Sequence, residues 1–72
     1  MKDTQELAAA AGAADPGTGL RAVAALRKLV EQLERVQVRN ARAQGWAWQA
    51  IADALGVTRQ AVHQKHARRD AD

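Results

Sequence analysis

The stretch "GWAWQAIADALGVTRQAVHQKH", residues 45–66, decides how this chain folds. In its first half Trp48, Ile51, Ala52 and Leu55 recur at three- and four-residue steps, so a helix would place them on one inward face. Ala52 is small enough to let a second helix approach closely. Gly56 follows, where a left-handed backbone carries no Cβ penalty. Val57 is expected to plug the turn. Thr58 suits the N-cap of a second helix, because its hydroxyl can accept a backbone N–H of the first turn. Val62 then faces back onto Ala52 and Leu55. The pattern predicts two short helices, 47–55 and 58–69, joined by a tight turn. Residues 70–72 are expected to fray.

The only two aromatic residues of the chain open this stretch. Trp48 lies in register with Ile51, Ala52 and Leu55 and is expected in the core. Trp46 falls at N′ if Ala47 is the N-cap, where it can clamp onto Ile51 as a hydrophobic staple.

Upstream, residues 20–44 read as one long amphipathic helix. Ala22, Leu26, Leu29, Leu33, Val36 and Asn40 follow alternating steps of three and four, and Val23, Val30 and Ala41 widen the stripe. Arg21, Lys28, Arg35, Arg39 and Arg42 gather on the other side. Gly45 is a natural stop. At 1.5 Å per residue such a helix spans about 37 Å, more than the two short helices can cover. The stripe therefore either packs on the chain's own later helices or forms a coiled-coil seam with a second copy through Leu26, Leu29, Leu33 and Val36. The first 19 residues are expected to form a flexible or partly helical arm. Asp3 and Glu6 have capping-box spacing there, and Gly12 with Pro16-Gly17-Thr18-Gly19 would end the helix they start.

The bulk numbers fit one small, all-α domain at 20–69 behind that arm. A chain of 72 residues with no Phe, Tyr or Cys has a limited core and no disulfide to reinforce it. Small unstapled scaffolds often gain stability by oligomerising. The net charge of +3 is unevenly spread. Residues 1–19 are acidic, residues 20–44 are strongly basic, and no acid occurs from Thr58 to Arg69. A merely solvated helix normally mixes signs. No apolar run approaches a membrane span and no signal-peptide pattern opens the chain, so a cytoplasmic protein without a membrane partner is expected.

Catalysis is not expected. There is no Ser, Cys or Tyr, and the carboxylates are scattered. Neither a cofactor nor a metal is expected: His63 and His66 lie three apart, with no Cys or acid beside them to complete a zinc site.

The stretch "WQAIADALGVTRQAVHQKH", residues 48–66, resembles the helix-turn-helix DNA-binding proteins of bacteria. It is most similar to the tri-helical kind found in sigma-factor C-terminal and resolvase-like domains. The frame is Ala52, Gly56 and Val62, with "LGVTRQAVH" inside it. The resemblance implies that the second helix enters a DNA major groove and presents its N-terminal residues to base edges. By position those are Arg59, Gln60, His63 and Gln64. Their chemistry suits the role, since Arg bonds guanine bidentately and Gln bonds adenine. Thr58, Lys65, Arg68 and Arg69 are placed for phosphates. The implied role is transcriptional regulation at the nucleoid. The alternative is a protein-interaction module that docks its long helix on a transcription or other regulatory protein, without base readout.

The chain departs from the family pattern at four places. Ala47 and Ala50 stand where a Ser or Thr cap and an acid are usual. Lys65 replaces an apolar residue, and His66 stands where an aromatic is common. Lys65 is expected to lay its stem on the core and send its ammonium outward.

Overall fold

The computed structural model describes the backbone of residues 3–71 and the side chains of residues 3–67. The fold is all-α, with four helices in order: α1 (Thr4–Ala11), α2 (Pro16–Ala43), α3 (Trp48–Leu55) and α4 (Arg59–Ala71). None of them is long and apolar enough to cross a membrane. Two compact units divide within α2, between Leu33 and Glu34. The second unit is thus shorter than the 20–69 domain expected from sequence. It uses only the C-terminal part of α2, with α3 and α4.

In the first unit, α1 starts as its capping signal predicts. The Asp3 carboxylate accepts from the Glu6 N–H at 2.8 Å. Gly12 closes the helix. Residues 4–11 are thus the helical part of the expected arm. One expectation needs correction here: Pro16-Gly17-Thr18-Gly19 does not end a helix but begins α2, four residues ahead of the expected start. Asp15 is the reason: its carboxylate accepts from the Thr18 N–H at 2.9 Å, and its carbonyl accepts from the Gly19 N–H at 2.9 Å. Pro16 then occupies the first helical position, where its missing N–H is no loss. Leu7 of α1 and Ala22 of α2 are buried.

In the second unit, α2 ends in a Schellman motif. The Trp46 N–H reaches back to the Ala41 carbonyl and the Gly45 N–H to that of Arg42, while Gly45 takes φ of 87°. The core consists of Val38, Ile51, Ala52 and Val62, with Ala41 and Trp48 packed against it. Ala52 has no exposed surface at all, which fits the close helix approach its size predicts.

Val38 corrects the sequence-derived stripe. At 100° per residue it lies on the far side of α2 from Leu29, Leu33 and Val36. The later helices close on that far side, through Val38 and Ala41. Leu33 and Val36 are left 54% and 46% exposed, while Leu26 and Leu29 are half-buried. The stripe is therefore not consumed by the chain's own α3 and α4.

Candidate nucleic-acid interface

The turn between α3 and α4 is built by Gly56. It adopts φ of 72° and ψ of 31°, the left-handed conformation anticipated from its position. The Val57 N–H bonds the Ala52 carbonyl and the Gly56 N–H that of Asp53, which satisfies the end of α3. Thr58 then caps α4 as expected: its Oγ1 accepts from the Ala61 N–H at 3.1 Å. Two hydrophobic residues do not behave as predicted. Leu55, expected on the inward face of α3, is 41% exposed, and Val57, expected to plug the turn, is 47% exposed. Ala52 and Val62 close the interior between α3 and α4 without them.

Ala47 is the N-cap of α3, with no side-chain cap bond, in keeping with the missing capping box. Trp46, 44% exposed, lines a groove of about 280 Å³ together with Ile51 and Leu55. Its carbonyl accepts from Nη1 of Arg42 at 2.8 Å. The entry of the chain into α3 is thus tied to the end of α2 by Arg42.

Helix α4 buries one narrow stripe. Val62 and His66, one turn apart, point inward and are each 2% exposed. Arg59, Gln60 and Gln64 are exposed. Among the described residues, none of these three is bound to another side chain through a hydrogen bond or ion pair. His63 is exposed too, but its ring packs edge-on against Trp48, with centroids 5.2 Å apart and planes at 77°. On the same indole, the Arg42 guanidinium lies 4.7 Å from the ring centroid. Trp48 therefore joins the core to two surface side chains, a cation–π contact and an edge contact.

The sequence-predicted phosphate contacts fare unequally. Thr58 is at the surface beside Arg59. Lys65 is at the surface, but its ammonium is already paired, 2.9 Å from the Glu34 carboxylate. Arg68 and Arg69 have side chains outside the described residues. The expected seam residues Leu26, Leu29, Leu33 and Val36 all belong to α2, away from these groups in sequence.

Glu34 is the residue that sequence reading missed. One of its carboxylate oxygens accepts from His66 Nε2 at 2.7 Å and also meets Lys65. The bond requires the proton on Nε2. The Lys65 ammonium holds the Glu34 carboxyl below its usual value; partial burial opposes this, and His66 adds to the lowering. The contact accounts for Lys65 and His66 at the two positions of α4 that depart from the pattern this stretch resembles. A buried polar ring needs a partner, and Glu34 supplies one from α2 while drawing Lys65 alongside. Among the described residues no group of three or more His, Asp or Glu side chains converges as a metal site.

No protein-family profile, curated protein sequence or solved structure matches this chain.

Proposed function

We propose that the second unit is a double-stranded DNA-binding module whose recognition helix is α4, acting in transcriptional regulation. One observation carries this reading. Directly after a glycine turn and a Thr cap, α4 presents Gln60 and Gln64 on the side turned away from Val62 and His66, and Arg59 in its first turn, all three exposed and unbonded among the described residues. Arg59 reads guanine, and Gln60 and Gln64 read adenine. His63 reaches the groove from its seat on Trp48. Thr58, with Arg68 and Arg69, meets phosphates. The absence of acids from Thr58 to Arg69 leaves nothing on this face to repel the DNA backbone.

Selection of duplexes from a random pool, followed by gel-shift titration, tests the reading. Arg59→Ala and Gln60→Ala are each expected to weaken binding of the selected site by about 1–3 kcal/mol and to relax preference at one base position. Selection that yields no enriched site, or two variants that bind it like the wild type, overturns it. Binding should also fall steeply with salt, as phosphate contact requires.

A second reading concerns assembly, and the exposure of Leu33 and Val36 favours it. The stripe of α2 pairs with a second copy, and a dimer offers two recognition helices to two half-sites. Leu33→Asp is expected to abolish self-association in sedimentation. A wild type that is monomeric throughout leaves the stripe to dock on another regulatory protein instead.

A further inference from the structure

We infer that Arg42, although it stands on α2, is a positioning residue for base readout by His63 on α4, and that it acts through Trp48. The inference rests on the DNA-binding reading above. All the residues it uses belong to the second unit.

Helix α3 begins without a polar cap. Its N-cap is Ala47, which offers no side-chain oxygen to the first turn. The residues on either side of that cap are both held by one guanidinium. Nη1 of Arg42 donates to the Trp46 carbonyl at 2.8 Å, and Cζ of Arg42 stands 4.7 Å from the centroid of the Trp48 ring. A planar, delocalised cation can stack on an indole while its rim donates a hydrogen bond. A compact ammonium on a flexible stem is not equivalent. Trp46 is fixed from its other end too, since its N–H goes to the Ala41 carbonyl. Arg42 lies in the last turn of α2, where a cation suits the helix dipole. Trp48 is thereby held by two neighbours, the core on which it packs and the Arg42 cation.

The indole in turn fixes His63. The imidazole meets it edge-on, with centroids 5.2 Å apart and planes at 77°, an arrangement that aromatic pairs prefer. Orientation matters for this reader in particular. A neutral imidazole carries a donor on one nitrogen and an acceptor on the other, so its ring angle decides which of them meets a base edge. Arg59, Gln60 and Gln64 have no side-chain partner among the described residues, and the DNA must order them. His63 is ordered beforehand, which lowers the cost of binding through it. Arg42 thus reaches base readout through two ring contacts, without touching a base.

Arg42→Ala, Arg42→Lys and His63→Ala are compared with the wild type, and circular dichroism checks that each folds. Arg42→Lys is the milder change and keeps the charge. In the free protein, NMR follows the ring protons of His63, assigned by their loss in His63→Ala. Against the indole they carry a ring-current shift. In both Arg42 variants they are expected to move towards the values of an exposed histidine, while those of His66 stay. Unmoved His63 signals overturn the inference. With the selected duplex and its single-base variants, His63→Ala is expected to lose the preference at one base pair. Arg42→Lys should relax the same pair by about 2- to 10-fold, the range an aromatic edge contact supports, and leave the pairs read by Arg59 and Gln60 alone. Added to His63→Ala, it should relax that pair no further. A merely structural role would weaken all positions together. Wild-type preference at that pair in Arg42→Lys overturns the inference. So does an Arg42→Ala that weakens every duplex equally and lowers the salt slope by about 1, the mark of a phosphate contact. Selection that enriches no site refutes the DNA reading and the readout role with it, while the NMR shift still decides whether Arg42 sets His63.

Discussion

Replacing Glu34 tests how α2 is fastened to α4 in the second unit. Its carboxylate is the acceptor for a histidine N–H on a side chain only 2% exposed. Glu34→Ala leaves that donor buried and unpaired, which costs about 1–3 kcal/mol. The Lys65 contact is half-exposed on the lysine side and adds at most about 1 kcal/mol. Glu34→Gln keeps an acceptor oxygen and loses only the charge, so about 1 kcal/mol is expected. A chain of this length has roughly 4–11 kcal/mol of stability in all. Both tryptophans lie in the second unit, so their fluorescence in urea reports its unfolding. With a slope of about 1 kcal/mol per molar, the midpoint should fall by about 2 M for Glu34→Ala and about 1 M for Glu34→Gln. The pH dependence has a definite sign. The folded carboxyl titrates below its ordinary value of 4.5, so its contribution is complete above that pH and is lost as pH falls through the folded value. The difference between wild type and Glu34→Gln should persist down to about pH 4.5 and close below it. Equal midpoints for wild type and Glu34→Ala at neutral pH, or a difference that does not change on acidification, refute the role given to this contact.

Three further outcomes are expected. Gly56→Ala forces an L-residue into φ of 72° and should destabilise the second unit by about 1–2 kcal/mol, read by the same fluorescence titration. Ala52→Leu overfills a site with no exposed surface and should cost about 1–3 kcal/mol; an unchanged midpoint would mean that the helices do not pack through Ala52. Gly19→Ala should stabilise α2 by up to about 1 kcal/mol. A Cβ there meets the Ala11 and Ala13 carbonyls at 3.5 and 3.6 Å, ordinary contact distances, and thermal melts followed by circular dichroism will show the gain.

Much of this molecule is local, and local features were legible in the residues. The helices of the second unit, the left-handed glycine at 56, the Thr58 cap and the burial of Ala52 and Val62 follow from periodicity and from backbone rules that act within a few residues. The exposed Gln60 and Gln64 follow from the same periodicity, because a helix that buries Val62 must turn them outward; Arg59 shares the Val62 side and is exposed as the first residue of α4. The start of α2 at Pro16 was also local, but Gly-rich residues argued against it, and only the Asp15 cap tipped the balance.

What tertiary structure decided was which of several possible faces is used. α2 carries two apolar faces, one through Leu29, Leu33 and Val36 and one through Val38 and Ala41, and periodicity rates the longer one higher. The short helices close on the other, because Gly45 and the Schellman turn send the chain back along that side. That choice leaves Leu33 and Val36 exposed. It also brings Glu34 to His66 across 32 positions of sequence, a pairing that no local rule contains. His66 alone reads as a misplaced polar residue; with α2 beside it, it becomes half of a fastening.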